Sequence, residues 1–117
     1  MEDGQLQRLA LELRKFAADR DWDQFHSPKN LAAALAVEAG EVLEHFQWLK
    51  EQESLEISSD TRDQISLELA DVLLYLVRMA DKLEIDLIEA ANRKLDINAQ
   101  KYPVERARGS SKKYTEL

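Results

Sequence analysis

Two pairs of acidic residues carry the spacing that chemistry at a shared site would need. Glu38 and Glu41 lie three residues apart, and Glu68 and Asp71 repeat that spacing further along the chain. On an α-helix, a separation of three residues places both side chains on one face, about one turn apart. Each pair therefore predicts two carboxylates that point the same way.

The surroundings of these acids predict that they are buried. Glu38 falls within a stripe of apolar residues that recur at the helical period of 3.6 residues. The stripe consists of Leu31, Leu35, Val42, Phe46 and Leu49. Around Glu68 and Asp71 nearly every residue is apolar, which indicates a buried helix. A buried carboxylate is costly unless it is paired or binds a metal.

The donor types favour a hard divalent cation. An acidic pair at this spacing is commonplace on solvated helix faces, but two pairs on predicted buried faces favour a shared site. Four carboxylates, with no cysteine and only two histidines in the chain, suit Mg²⁺ or Mn²⁺ rather than zinc or copper. The residues alone thus predict an all-helical, magnesium-dependent site that acts on a phosphate ester or anhydride.

The segments around these acids resemble the MazG-like, all-α nucleoside triphosphate pyrophosphohydrolases, and within them the dCTP pyrophosphatase-like subgroup. The matching segments are RDWDQFH at 20–26, PKNL at 28–31, EAGE at 38–41, FQW at 46–48, ELADVLLY at 68–75, KLDIN at 94–98, KYP at 101–103 and KYTEL at 113–117. The two acidic pairs mark the superfamily, and the first and last segments narrow the resemblance to the subgroup. It extends from about Leu13 to the last residue.

This resemblance implies hydrolysis of a nucleoside triphosphate to the monophosphate and pyrophosphate, by attack of water on the α-phosphorus. Glu38, Glu41, Glu68 and Asp71 would hold Mg²⁺, with Mn²⁺ as a possible substitute. Glu41 is the favoured candidate to orient or deprotonate the water, although spacing alone does not choose among the four acids. The implied substrates are deoxynucleoside triphosphates, with dCTP or its modified forms preferred, and the implied role is cleansing of the nucleotide pool.

The resemblance also implies a set of substrate-binding residues. These are Trp22, Asp23, Gln24, Phe25, His26, Trp48, Tyr75, Lys94 and Asn98. Several of them have a simpler structural interpretation: the aromatic residues as core, His26 as an exposed loop residue, and Lys94 with Asn98 and Lys101 as a solvated stripe. One position departs from the subgroup, because some members carry a substrate-binding histidine in the first helix where this chain has Leu13.

The periodicity predicts an all-α, four-helix bundle-type subunit. We expect helices at 5–19, from Pro28 to about Lys50, from a cap at Ser59 or Asp60 to about Leu83, and from Asp86 to about Tyr102. Residues 51–59 read as a linker. A chain of 117 residues predicts one domain, with residues 103–117 as a C-terminal tail. The resemblance implies that this tail is ordered against another subunit. The apolar third helix predicts a homo-oligomer, either a dimer or a tetramer.

Composition narrows the remaining function classes. The formal net charge is −7, which disfavours nonspecific nucleic-acid binding because that binding relies on Lys and Arg. No cysteine is available as a nucleophile or for disulfides. The sequence shows no signal peptide and no apolar run of membrane-spanning length. We therefore expect a cytoplasmic protein without membrane or nucleic-acid partners.

Two rival functions remain open from the sequence. A ferritin-like dimetal carboxylate protein needs Glu-x-x-His pairs on two helices, whereas Glu41 and His45 are four residues apart and the third helix has no histidine. A non-catalytic helical interaction module would leave the buried acids without an explanation.

Overall fold

The computed structural model describes residues 4–117, and within that range every regular element is a helix, which confirms the predicted all-α class. The four long helices are α1 (Gln5–Asp19), α2 (Pro28–Glu44), α4 (Ser59–Lys82) and α5 (Leu87–Lys101). The short ones are α3 (Glu51–Ser54), α6 (Val104–Ala107) and 3₁₀ turns at Asp23–Phe25 and Tyr114–Glu116. No helix in residues 4–117 is long and apolar enough to cross a membrane.

The described chain divides into two compact units, residues 4–85 and residues 86–117. The first unit contains α1 to α4 and the second contains α5 and α6. The single domain expected from the length of the chain stays a prediction.

The first unit is built on α4. Both α1 and α2 pack against this helix, and their contacts bury a small core. Its apolar members are Ala10, Ala17, Leu31, Ile65, Val77 and Ala80. Leu31 and Val77 are the largest fully buried side chains, and burial of each stabilises the unit by about 1.5–3 kcal/mol. α4 is thus the element that positions its neighbours.

The helix starts follow the capping chemistry of the sequence. The Ser27 hydroxyl accepts a hydrogen bond from the Asn30 N–H (3.2 Å), and Pro28 occupies the first turn, as predicted. Asp86 likewise accepts from the Glu89 N–H (3.1 Å) at the start of α5. The cap of α4 is Ser58 rather than the predicted Ser59 or Asp60, because the Ser58 hydroxyl accepts from the Thr61 N–H.

α1 and α4 end in the same way. After α1, the Trp22 N–H donates to the Ala17 carbonyl, and Asp21 adopts a left-handed conformation (φ 54°). After α4, the Ile85 N–H donates to the Ala80 carbonyl, and Glu84 is left-handed (φ 55°). Both are Schellman endings, which satisfy the last carbonyls of a helix and turn the chain sharply. The ending of α1 directs the segment 20–27 away from the helix axis.

The predicted second helix is too long. α2 ends at Glu44 instead of about Lys50, because the amides of His45 and Phe46 bond to carbonyls three residues back and tighten the chain into turns. The predicted linker also contains helix: the Lys50 N–H donates to the Glu53 carboxylate (2.8 Å), and this local bond starts the single turn of α3.

The second unit continues beyond α5 into the predicted tail. The rings of Tyr102 and Tyr114 meet edge to face with their centroids 5.9 Å apart, and the Lys101 ammonium lies 4.8 Å from the Tyr114 centroid. These contacts join the C-terminal 3₁₀ turn to the end of α5. Packing of residues 103–117 on another subunit stays a prediction.

Candidate active site

The four predicted acids lie on α2 and α4, the two helices that share the largest interface of the first unit. Glu38, Glu41 and Glu68 are half-buried, and Asp71 is exposed. Glu38 Oε2 is buried without a hydrogen-bond partner. An orphaned carboxylate oxygen of this kind is costly and calls for a partner that the side chains do not supply.

Electrostatics show that the two acidic pairs act on one another. The pKa of Glu38 is raised, first by the adjacent Glu41 carboxyl, which can share a hydrogen bond with the protonated form, and then by burial. The negative charges of Glu41, Asp71 and Glu68 raise it further. The acids of α2 and α4 therefore form one cluster of negative charge, which we call the acidic cluster.

His45 makes one contact with this cluster. Its Nε2 lies 2.5 Å from Glu68 Oε2, and both side chains are mostly shielded from solvent. That oxygen is buried and has no hydrogen-bond partner, so the His45 ring approaches it without the geometry of a hydrogen bond. His45 lies at the end of α2, so the contact connects the two helices at the Glu68 carboxylate.

Within residues 4–117, no three Asp, Glu or His side chains stand close enough together to hold a metal ion as they are. The acidic cluster is therefore a concentration of charge rather than a preformed metal site. Its chemistry nevertheless fits Mg²⁺ or Mn²⁺, because all four donors are carboxylate oxygens and Glu38 offers an oxygen without a partner.

A cavity of about 200 Å³ opens beside the acidic cluster. It is lined by Leu13, Phe16, Trp22, His26, Asp71, Leu74, Tyr75 and Arg78. Asp71 belongs both to this lining and to the acidic cluster, so the two features adjoin. The volume lies below the roughly 300–1,000 Å³ of pockets that enclose drug-sized ligands, and it therefore suits a small group or one part of a larger ligand. We call this feature the aromatic cavity.

Aromatic side chains that meet edge to face form part of the wall of the aromatic cavity. Trp22 meets Phe16 edge to face with centroids 5.8 Å apart, and it meets His26 at 6.5 Å. The Arg20 guanidinium covers the Phe16 ring at 3.7 Å from its centroid. These contacts hold the ring of Trp22 in place at the edge of the aromatic cavity.

The residues of the predicted substrate-binding segment 22–26 lie in different environments. Trp22 and His26 line the aromatic cavity, as does Tyr75 from α4. Asp23 instead accepts hydrogen bonds from Arg78 and Lys82. The remaining two members are Gln24, whose amide donates to Asp21, and Phe25, which is exposed. Neither lines the aromatic cavity, and their part in substrate binding stays a prediction.

The other predicted substrate contacts lie apart from the aromatic cavity lining. The Trp48 side chain is 87% exposed, because α2 ends before it and the helical spacing from Glu41 does not hold. Lys94 and Asn98 are on α5 in the second unit, where Lys94 is exposed and Asn98 half-buried. Their roles stay predictions.

Sequence reasoning did not assign Phe16, Leu74 and Arg78 to the site. Phe16 and Leu74 continue ordinary apolar stripes and carry no separate signal. Arg78 had a signal, since it is a lone base within the apolar run 72–80. A charged residue at such a position indicates a polar partner nearby, and the segment 20–27 supplies it through Asp23 and His26.

Comparison with known proteins identifies the family. The MazG-like family matches residues 33–117, which include both acidic pairs. The chain belongs to the MazG-like family.

Three relatives illustrate the similarity. The chain is 49% identical over 105 residues to dCTP pyrophosphatase 1 of Homo sapiens and 47% identical to that of Mus musculus. Each alignment covers 88% of this chain but 62% of the relative, so the chain spans under two thirds of these proteins. The crystal structure of a pyrophosphatase from Archaeoglobus fulgidus matches with a TM-score of 0.81 and 38% identity, covering 88% of this chain and 96% of that one.

Proposed function

We propose that this protein is a magnesium-dependent nucleoside triphosphate pyrophosphohydrolase that converts a deoxynucleoside triphosphate and water into the monophosphate and pyrophosphate. One observation carries the proposal: an acidic cluster with an orphaned carboxylate oxygen adjoins an aromatic cavity and shares Asp71 with it. The acidic cluster with its metal would bind the polyphosphate of the substrate, and the adjoining aromatic cavity would bind the base. The names of the human and mouse relatives and of the archaeal structure support this reaction.

Glu38, Glu41, Glu68 and Asp71 would hold Mg²⁺, with Mn²⁺ as a substitute. When bound, the cation supplies charge neutralisation for the phosphates and polarises the phosphorus centre. Without a counter-charge, the acidic cluster would repel a triphosphate. Glu41 is the candidate general base, since it is half-buried beside Glu38 and can take a proton from water. The contact from His45 keeps Glu68 in place.

The aromatic cavity favours a heterocyclic base as the other half of the substrate. Trp22 offers an aromatic surface, while His26 and Tyr75 add polar groups. We propose dCTP or a modified dCTP as the preferred substrate, in keeping with the dCTP pyrophosphatases that this chain is similar to. Leu13 contributes an apolar side chain to the lining, so the base is held through His26 and Tyr75 without help from a histidine on α1. The role would be cleansing of the nucleotide pool in the cytoplasm.

Hydrolysis of a dNTP panel in H₂¹⁸O tests the reaction and the base preference together. With Mg²⁺ present, we expect equal amounts of dNMP and pyrophosphate, fastest from dCTP, and no release of orthophosphate. Attack at the α-phosphorus places the ¹⁸O label in the dNMP, whereas attack at the β-phosphorus places it in pyrophosphate. Mass spectrometry of both products distinguishes these outcomes.

A matched pair of variants links the reaction to the acidic cluster. The double variant Glu38→Gln/Glu68→Gln removes two predicted ligands, and we expect it to lose activity at least 100-fold. Glu44→Gln makes the same chemical change at an exposed position of α2 and should keep wild-type activity. Undiminished activity in the double variant, or activity of the wild type in excess EDTA, would contradict the proposed metal dependence.

The first unit also supports the proposal of a homo-oligomer. Leu69, Leu73 and Leu76 follow one another at helical spacing along α4, and all three are exposed. A row of exposed leucines on a central helix favours a second copy of the chain as its cover. Light scattering after size exclusion should give a dimer or tetramer for the wild type, and Leu73→Glu should shift it toward the monomer. A monomeric wild type at micromolar concentration would refute this part of the proposal.

A further inference from the structure

Arg78 has an unusual environment for an arginine. It is only 5% exposed, and it lies on α4 beneath the segment 20–27. Its Nη2 donates to Asp23 Oδ1 (2.7 Å), and its Nη1 lies 3.7 Å from Asp81 Oδ2. Asp81 is itself held by two bonds from Arg14, at 2.6 and 2.7 Å. The guanidinium plane is therefore fixed by carboxylates, and this fixes the direction of the remaining Nε–H group.

That Nε–H group donates to His26 Nδ1 at 3.1 Å. A guanidinium has no acceptor and keeps its protons at all physiological pH values, so the imidazole must offer a lone pair at Nδ1. A neutral imidazole that accepts at Nδ1 carries its proton on Nε2. Burial, followed by the positive charges of Arg78 and Lys82, lowers the pKa of His26 and opposes the imidazolium form.

We propose that Arg78 is a positioning residue that locks His26 as the neutral tautomer with its proton on Nε2. With Nδ1 occupied, the imidazole ring can meet a ligand in the aromatic cavity only as a hydrogen-bond donor. The cavity thereby selects a flat heterocycle that presents an acceptor, such as the ring carbonyl oxygen of a pyrimidine. This selection deepens the proposed function and rests on it for the identity of the ligand. The tautomer itself does not depend on any ligand.

Nitrogen-15 NMR tests the lock on the ligand-free protein. The chain has two histidines, so a His26→Gln variant assigns the signals of His26 by their loss. Long-range ¹H–¹⁵N correlation at pH 7 should show the wild-type His26 as a single tautomer protonated at Nε2. Arg78→Met should convert this signal into an average of both tautomers. Arg78→Lys keeps the charge between Asp23 and Asp81 but lacks the Nε–H, and it provides the same test if the methionine variant does not fold.

Two spectral results would overturn the lock. One is a wild-type His26 protonated at Nδ1, and the other is an unchanged Nε2–H signal in the folded Arg78 variants. Arg62→Met is the matched control, because it makes the same chemical change at an exposed position of α4 outside the ion-pair network. It should leave the His26 spectrum as in the wild type.

Titration with dCMP tests the consequence for binding. Loss or misplacement of one donor should weaken binding by about 2- to 10-fold in Arg78→Met and leave binding by Arg62→Met unchanged. For dCTP turnover, KM should rise by a similar factor with kcat little changed. Equal effects in both variants would overturn the positioning role. If the wild type released no pyrophosphate from any triphosphate, both the proposed function and the nucleobase as ligand would be overturned. The NMR spectrum would still decide whether Arg78 fixes the tautomer of His26.

Discussion

Replacing Glu38 by glutamine should make the metal-free protein more stable and remove its response to Mg²⁺. Glu38 Oε2 is buried without a partner, and the charges of three further carboxylates act on the same group. Carboxylates one turn apart on an exposed helix repel by about 0.2–0.5 kcal/mol, which is the contribution of Glu41. The charges of Glu68 and Asp71, which lie on α4, add to this repulsion. We expect a gain of about 1 kcal/mol in the free energy of unfolding, or about 4 °C in Tm.

Mg²⁺ should reverse the order of stability between the wild type and Glu38→Gln. Free Mg²⁺ at 100 times its Kd should stabilise the wild type by about 2.7 kcal/mol, because it binds the folded state. The Glu38→Gln variant should gain much less, so the wild type becomes the more stable of the two. Thermal unfolding with and without Mg²⁺ measures both effects. Glu44→Gln, at an exposed position of the same helix, should match the wild type in both conditions.

The stability difference between the metal-free wild type and Glu38→Gln should also depend on pH. Because the folded-state pKa of Glu38 lies above its ordinary value of 4.5, the folded protein binds more protons than the unfolded chain between these two values. The metal-free wild type should therefore lose stability relative to Glu38→Gln as the pH rises through that window, and the difference should then stay constant. A difference that is absent at neutral pH, together with equal Mg²⁺ responses, would refute the acidic cluster as a metal site.

Three further substitutions test the scaffold by thermal or denaturant unfolding. Glu84→Gly should raise stability by about 0.5–1 kcal/mol because glycine relieves the left-handed conformation after α4, whereas Glu84→Ala should give no such gain. Asp81→Asn should cost about 0.5–1 kcal/mol at pH 7, because it breaks the pair with the exposed Arg14. Since that pair lowers the pKa of Asp81, the loss should disappear as the pH falls below the folded-state pKa. Leu31→Ala should cost about 2–4 kcal/mol by leaving a cavity in the core, and a loss below 1 kcal/mol would contradict the packing described.

The long helices and the acidic pairs were accessible from the sequence because both depend on local spacing. The caps at Ser27 and Asp86 act within three residues, and the pairs Glu38/Glu41 and Glu68/Asp71 each span one turn. Local spacing did not predict the end of α2, where the backbone tightens into turns instead of continuing as a helix. Residues 45–58 contain no glycine or proline that would have marked that end.

The sequence did not predict the hydrogen bonds that attach the segment 20–27 to α4. Arg78 bonds to His26 and Asp23 across 52 and 55 residues, and a single sequence carries no record of such distant pairings. The resemblance to a known family pointed to the segment that contains Trp22 and His26, and both residues line the aromatic cavity. It did not say which side chains of that segment line the cavity and which attach the segment to α4.

The length of α4 between its acids and the aromatic cavity has a consequence for the size of molecule that this protein accepts. Glu68 and Tyr75 are seven residues apart on one uninterrupted helix, which corresponds to about 10 Å of rise at 1.5 Å per residue. A helix does not stretch as a loop does, so under the proposed function α4 would fix the distance between the phosphate end and the base end of a bound nucleotide. One inserted residue between Asp71 and Tyr75 would rotate the two ends by about 100° relative to each other, and a nucleotide could then reach only one of them.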